Sequence, residues 1–565
     1  MIDFTYESFT TSDGRTTSVP SAGVVVFVGP NNAGKSQALK DLLGHEREGA
    51  QYVGRTITSV TAAKRGDAAD ATAWAEQSLS STSRDGVMRV TVPGWAEVAP
   101  TNFGTQWAGG GPHLGVLADS LILFADGTTR LTAGNAQENL DFRIQSPTHP
   151  IQRAYVDSQL EEHFRAVAKS AFGLDVAVDR YAGLQIALRV GERPQFRHEN
   201  GVPDPQYLHD LAEMPYLDVQ GDGVKSLLGL MIQLIAGRQK VILVDEPEAF
   251  LHPPQARMLG SMLASRASEQ QVFLSTHSSA VLQGVLEAGV PVTIVRLRRE
   301  GSRNVADVLD DEAVAELWSD PVLRYSNLLD GLFYDAVVIC EADSDCRYYS
   351  AVRDHLFPEG GGAARRPELL FAQSGGKARM AVIVKALRAA GVPVVVVADF
   401  DIIRDEGDIR KVFEALDGDW AAIRDLRTAV AKALIADVKP LFKVSLRDAL
   451  EQKLSSMPET LDSKDVESLR SVLKAENGWN KAKRSGISAV PQGDAYAAGE
   501  KLIRLLAEGG LLVVPVGELE RFVPGVGGHG PNWVNFVLER GDHLMPSADA
   551  VAFVTQIEVA AKAAS

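Results

Sequence analysis

The segment Gly29-Pro30-Asn31-Asn32-Ala33-Gly34-Lys35-Ser36 fits the pattern G-x-x-x-x-G-K-[ST]. It follows the apolar run Val24 to Val28 and precedes a stretch, Ser36 to Leu43, with leucines at helical spacing. In a strand–loop–helix setting, glycines let backbone N–H groups curl round phosphate oxygens, and the helix amino terminus adds partial positive charge. Gly29, Asn31, Asn32 and Gly34 then form the cradle. Lys35 reaches the β- and γ-phosphates of ATP, and the Ser36 hydroxyl ligates Mg²⁺. A glycine-rich turn that merely starts a helix is the plainer reading, and it leaves the agreement of pattern and setting unexplained.

Such a loop needs an acid beside it. The run Lys240-Val241-Ile242-Leu243-Val244 ends in Asp245-Glu246-Pro247-Glu248, so an apolar strand delivers Asp245 to assist the metal and Glu246 to polarise the attacking water. Past the next predicted strand, Val272 to Ser275, comes His277, placed to sense the γ-phosphate. Gln220-Gly221-Asp222-Gly223-Val224-Lys225-Ser226 is a second glycine-and-hydroxyl arrangement at a helix start. Because the chain already has one phosphate loop, Gly223 and Ser226 are expected to cap ATP held by a partner subunit.

A third group is acidic. The predicted strand Ala336 to Cys340 runs into Glu341, Asp343 and Asp345, and the predicted strand Val394 to Ala398 runs into Asp399-Phe400-Asp401. If the two strands are parallel neighbours, both acid groups meet at the carboxyl edge of one sheet, where ligands bind in such folds. Carboxylates crowded there repel one another by several kcal/mol at an effective dielectric of about 20. Oxygen-only ligands suit Mg²⁺ or Mn²⁺, and a pair of such ions can activate water and stabilise a leaving oxygen in phosphodiester cleavage.

The elements that position these groups read as α/β throughout. At 565 residues with 45% hydrophobic and 23% charged composition, the chain exceeds a single core and is expected to be globular. The main boundary is expected near 320–332. Residues 56–216 read as a large mixed insertion, with a hairpin at Leu121 to Leu131 around Asp126-Gly127 and a helix from Ile151 to Phe172. Further helices are expected at Lys225 to Ile235, Pro254 to Ala264 and Ala378 to Ala390, a charged helical stretch at about 407–509, and a last strand at Leu511 to Val514. The net charge of −16 removes whole-molecule attraction for nucleic acid, so DNA would have to be met by a local basic surface or by metal ions. Cys340 and Cys346 cannot build a disulfide scaffold or a four-thiolate zinc site. No apolar run of about 18 residues is present, and Met1 to Thr11 lacks a leader pattern, so the expectation is a cytoplasmic protein without a membrane partner.

The phosphate loop, Asp245-Glu246-Pro247-Glu248 with Leu251-His252-Pro253, and Ser275-Thr276-His277-Ser278 together resemble the ABC-type ATPases of the SMC, RecF and OLD (overcoming lysogenization defect) group. Glu341-Ala342-Asp343-Ser344-Asp345, Asp399-Phe400-Asp401 and Gly375-Gly376-Lys377 resemble the acidic pattern of the Toprim domain, with Ala342 in place of the usual glycine. That order of parts is similar to the OLD family, which includes Gabija, retron-effector and PARIS-like antiviral proteins. The resemblance implies an ABC-type P-loop ATPase domain over 1–325, its insertion a dimerisation region, then a Rossmann-like Toprim nuclease domain over 326–565. It implies Glu341, Asp345, Asp399, Asp401 and a late acid, Glu520 with Glu518 close behind, as metal ligands. The family's usual lysine after that late acid is absent, which leaves Lys377, Arg521 or His529 as the basic group.

The activity implied is an ATP-regulated, Mg²⁺- or Mn²⁺-dependent endonuclease acting on DNA in anti-phage defence, working as a homodimer or higher homo-oligomer. An operon partner such as a helicase or reverse transcriptase is compatible with it. Two other readings stand beside it: an ATP-driven DNA-binding clamp or sensor that scaffolds an effector, and a Toprim ribonuclease cutting RNA such as tRNA.

Overall fold

The computed structural model describes residues 1–565 apart from 85, 143–144, 200–201, 320–326, 359–365, 437–442, 463–464, 467, 470–477 and 565. It divides into two compact units, Met1–Arg324 and Tyr325–Ser565. The predicted boundary region therefore lies partly outside the described residues.

The first unit is built on a six-stranded sheet in the order Arg303–Leu309, Val292–Glu300, Gly23–Val28, Gln271–Ser275, Val241–Asp245, Ile122–Ala125. All are parallel except the edge strand Arg303–Leu309, which forms a hairpin with its neighbour. Gly23–Val28 and Gln271–Ser275 are buried along their whole length, as continuous apolar runs must be when both sheet faces are covered. Register aligns Phe27 with Ser275 and Ser275 with Asp245. The phosphate loop and the acid thus leave the same sheet edge, two strands apart.

Three expectations are corrected here. Leu121 to Leu131 is not a hairpin: Ile122–Ala125 joins the main sheet parallel to Val241–Asp245 and is followed by the helix Gly127–Thr132. Asp126 caps that helix, accepting from Thr129 N at 2.8 Å while the Thr129 hydroxyl takes the Asp126 N–H at 2.8 Å. An Asp-Gly pair is a turn signal and a helix-cap signal alike, and only the neighbouring strand decides between them. Residues 56–216 accordingly are not one excursion from the sheet. The helix expected from Ile151 to Phe172 is two, Pro150–Val156 and Ser158–Phe172, because Asp157 turns extended and caps the second through Gln159 N and Leu160 N.

Beneath the first helix, Lys35–Glu48, a carboxylate is sealed in the core. Glu46 is fully buried and accepts one bond, from Leu114 N at 3.1 Å; its other oxygen has no partner, and neither does His113 Nδ1, 3.7 Å away. Burial pushes its carboxyl up to about 7, against the lowering effect of Leu114 N–H and Lys64. A raised carboxyl stabilises the fold fully below the ordinary range near 4.5, and that contribution is lost as pH rises through 7. Glu46→Gln is therefore expected to stabilise the protein increasingly from pH 5 to pH 8, reaching about 2–3 kcal/mol. Thermal melts of both proteins across that range check it; a gap that is constant with pH would contradict it.

The second unit has a four-stranded, all-parallel sheet in the order Leu369–Gln373, Ala336–Cys340, Val394–Ala398, Leu511–Val513. The two central strands are all-β-branched or apolar and wholly buried, and they pair as Val337 with Val394 through Ile339 with Val396. Helices Asp343–Leu356, Gly530–Arg540 and Ala548–Ala564 cover one face around Tyr348, Tyr349, Phe522, Trp533 and Phe553. Between Glu406 and Glu508 the described residues are mainly helical. Among the described residues, no helix is long and apolar enough to cross a membrane.

Candidate functional site

In the first unit, the phosphate loop has the backbone that only its sequence permits. Gly29 sits at φ 135°, where a Cβ would stand 2.1 Å from the Leu297 carbonyl oxygen. Gly34, at φ 93°, starts the helix; a Cβ there would stand 2.6 Å from Thr56 Oγ1. Asn32 also takes a left-handed conformation, φ 64°, which asparagine tolerates. Lys35 is buried and bends back along the loop, its Nζ donating to the Gly29 and Pro30 carbonyls at 2.8 and 2.9 Å. Ser36 follows in the first helical turn. Asn304, on the antiparallel edge strand, donates from Nδ2 to the Ala33 carbonyl at 2.6 Å and so braces the loop. Nothing in its local sequence marks Asn304 for this role.

Two strands away, the Ser275 hydroxyl donates to the Asp245 carboxylate. Glu246 follows at φ 46°, with its side chain exposed and Oε1 3.6 Å from His277 Nε2. Burial, with Lys35 nearby, holds His277 down to about 4 against the pull of Asp245, so it is neutral at pH 7. The turn carrying His277 is fixed by Glu248, which accepts from Thr276 Oγ1 at 2.8 Å and His277 N at 2.7 Å. Arg130 is fully buried and donates to the Asp245 carbonyl at 2.6 Å and the Glu246 carbonyl at 2.9 Å. Arg130 pins the strained acid turn from the helix Gly127–Thr132.

The same arginine accounts for Ser226. Its hydroxyl accepts from Arg130 Nε at 3.2 Å and donates to the Ala249 carbonyl at 3.4 Å, and the residue is 1% exposed. Within this single chain Ser226 is thus a buried brace between Arg130 and the Ala249 carbonyl. Gly223 lies against the Phe250 carbonyl, 2.7 Å from where a Cβ would be.

In the second unit the acids converge. Adjacent parallel strands bring one carboxylate oxygen each of Glu341, Asp399 and Asp401 within 4.8 Å of one another. Asp399 N donates to Glu341 Oε1 at 3.2 Å. Lys377, at the start of the helix Lys377–Ala389, lies between them, 3.5 Å from Glu341 Oε1 and ion-paired with Asp401. Asp345 stands apart from that triplet, taking the Ala342 N–H at 2.9 Å as a helix cap.

A second triplet follows the last strand. Ligand atoms of Glu518, Glu520 and His529 lie within 4.8 Å of one another, with His529 Nδ1 3.2 Å from Glu520 Oε1. Gly530 N also donates to Glu520, at 3.1 Å, and Arg521 donates to Glu518 at 2.9 Å. The Phe400 N–H bonds the Gly517 carbonyl at 2.8 Å, tying the segment before Glu518 to the turn that holds Asp399 and Asp401.

Charge crowding is written into these acids. Burial, opposed by Lys377 and reinforced by Asp401, lifts Glu341 to about 7. Burial lifts Asp345 to about 6, with Glu520 adding to it. Asp399 is pushed well above the carboxylate range by burial, then by Glu341, Asp345 and Asp401. Burial works against the charge on Lys377, but Glu341, Asp401 and Asp399 outweigh it and hold its ammonium. One lysine does not balance this many half-buried carboxylates, and the all-oxygen set of Glu341, Asp399 and Asp401 fits a hard divalent cation.

A family model described as "AAA domain, putative AbiEii toxin, Type IV TA system" matches residues 141–283, which include Asp245, Glu246 and His277 but not the phosphate loop. The chain is 29% identical over 103 residues to uncharacterized protein MJECL11 of Methanocaldococcus jannaschii, covering 17% of this chain and 90% of that protein. Among solved structures, it is similar to an Smc head bound to the C-winged helix domain of ScpA (11% identity, 55% of this chain, 99% of that chain, TM-score 0.32). It is also similar to cbiO1 of Clostridium perfringens, part of the ABC transporter complex cbiONQ (12% identity, 58% and 94% covered, TM-score 0.28). The SMC head domain of Thermotoga maritima gives 14% identity, 55% and 98% covered, and a TM-score of 0.27. The loop geometry, the acid-tipped parallel strand on the same sheet edge and the family match make the first unit an α/β P-loop ATPase domain.

Proposed function

We propose that this chain is an ATP-regulated, divalent-metal-dependent nuclease of the OLD type, its second unit a Toprim domain that cuts DNA. The convergence of Glu341, Asp399 and Asp401 around Lys377 at the carboxyl edge of a parallel sheet carries this reading. Glu341, Asp399 and Asp401 hold one Mg²⁺ or Mn²⁺, and Asp345 and Glu520 supply ligands for another. When bound, such ions activate water and stabilise the leaving oxygen of a phosphodiester. Lys377 then shifts from balancing the acids to neutralising the scissile phosphate, a point charge suited to that role. The family description, a toxin of a toxin–antitoxin system, agrees with a role in anti-phage defence.

In the first unit, Lys35 and the loop N–H groups bind the phosphates, Ser36 and Asp245 hold Mg²⁺, and Glu246 orients and deprotonates water with neutral His277 beside it. Two chains closing around ATP would make the cutting unit respond to the nucleotide. Glu246→Gln is expected to bind ATP and lose about 10²–10⁴-fold in turnover; phosphate release measured beside nucleotide binding checks it, and wild-type turnover would remove Glu246 from the role. The whole reading is tested by incubating the purified protein with supercoiled plasmid and with RNA, each with Mg²⁺ or Mn²⁺. Metal-dependent nicking of plasmid supports it, cutting of RNA alone moves the substrate to RNA, and no cutting of either favours the clamp.

A further inference from the structure

Past the strand Leu511–Val513, a second set of donors gathers that differs in kind from the first. Glu341, Asp399 and Asp401 offer oxygen alone, whereas Glu518 and Glu520 meet the imidazole of His529, one donor atom of each within 4.8 Å of the other two. The backbone holds them there. Gly517, at φ 112°, abuts the helix Gly478–Ser485; a Cβ would stand 2.4 Å from the Lys483 carbonyl oxygen, and this close approach fixes the turn into Glu518. Beyond the short turn Leu519–Phe522, Gly530 N donates to Glu520 Oε1 at 3.1 Å, and His529 Nδ1 lies 3.2 Å from the same oxygen. Glu518 is buried, Glu520 half-buried and His529 73% exposed, so the set has a closed floor and a mouth open to solvent.

A histidine paired with a surface carboxylate is the plainer reading, and it leaves the charge unexplained. Glu518 is met by Arg521 at 2.9 Å and by Lys483 at 3.9 Å, both exposed and free to swing aside. Glu520 and the nearby Asp345, whose carboxyl feels the Glu520 charge, have no lysine or arginine partner among the described residues. A dication cancels that charge and takes the imidazole nitrogen as a ligand at once.

Oxygen donors by themselves suit Mg²⁺, whereas an imidazole among them favours ions of the Zn²⁺ class. Three protein ligands drawn from histidine and carboxylates, with further positions left to water or substrate, match the way Zn²⁺ is held at reactive sites. We infer that Glu518, Glu520 and His529 hold a transition-metal dication of the Zn²⁺ class in preference to Mg²⁺, His529 setting that preference. The inference rests on the proposed nuclease reading in one respect: it gives the second ion, assigned there to Asp345 and Glu520, its identity and two further ligands.

Full-length protein freed of metal by chelation is titrated with Zn²⁺ and with Mg²⁺ by calorimetry, and with Co²⁺ followed by its visible absorption. Zn²⁺ is expected to bind about a hundredfold or more tightly than Mg²⁺, and bound Co²⁺ to show the strengthened visible bands of an ion with few ligands, one of them nitrogen. His529→Ala should weaken Zn²⁺ binding about tenfold or more and lose the Co²⁺ bands, with the Mg²⁺ affinity held within about threefold. His529 is exposed, and the melting temperature of the variant verifies its fold. Equal affinity for Zn²⁺ and Mg²⁺, or Zn²⁺ binding and Co²⁺ bands that survive His529→Ala, would overturn the inference. Plasmid nicking is scored apart from binding. Protein that binds Zn²⁺ in this way but never nicks loses the nuclease reading and keeps the site, and nicking without selective Zn²⁺ binding loses the site alone.

Discussion

Asp399→Ala is expected to lose metal-dependent strand cleavage by more than about a hundredfold while ATP binding stays intact. Asp399 sits at the tip of the strand Val394–Ala398, one oxygen within 4.8 Å of Glu341 and Asp401 oxygens. Residues that merely support a metal ligand change affinity or activity by about 10–100-fold, so a direct ligand should exceed that. The same substitution should make the metal-free protein more stable. Asp399 is pushed far above the carboxylate range by burial and then by Glu341, Asp345 and Asp401. A raised carboxyl stabilises the fold below its ordinary range and loses that contribution as pH rises, so the stability gained by Asp399→Ala, or the closer mimic Asp399→Asn, should grow with pH. Wild-type protein should gain stability on adding Mn²⁺, and the variant should gain little. Cleavage at the wild-type rate by Asp399→Ala would remove the metal assignment; equal Mn²⁺ stabilisation of both proteins would do the same.

Lys35→Ala is expected to reduce ATP turnover by about 10²–10³-fold, the scale of losing one preorganised donor to transition-state charge. Lys35 is 4% exposed and already held along the loop by the Gly29 and Pro30 carbonyls, so little reorganisation precedes its contact with phosphate. Lys35→Arg should not restore the rate, because a planar guanidinium does not fit where a compact ammonium is threaded between two carbonyls. Measuring plasmid cleavage by Lys35→Ala with and without ATP separates the two units. Cleavage that no longer responds to ATP ties regulation to the loop, and an unchanged response would place it elsewhere.

Both predictions start from residues that the sequence identifies. The glycines of the phosphate loop, the strand ending in Asp245-Glu246 and the strands ending in Glu341 and Asp399 are local patterns, because a buried parallel strand must be a short apolar run and its tip must turn. Asp126-Gly127 was legible only as punctuation, and its meaning depended on the pairing of Ile122–Ala125 with Val241–Asp245. Ser226 shows a related limit: a hydroxyl at a helix start can face a ligand or its own protein, and its bond from Arg130 is invisible to local spacing.

The α/β character, the phosphate loop and the three acid-tipped strands are local, since each follows from the order of neighbouring residues. Folding alone brings Arg130 and Asn304 to brace the nucleotide side, sets Lys377 between Glu341 and Asp401, and gathers Glu518, Glu520 and His529 in a second cluster. These contacts join residues far apart in the chain, and they are fixed by strand order and by the need of buried charges and carbonyls for partners, which no local spacing encodes.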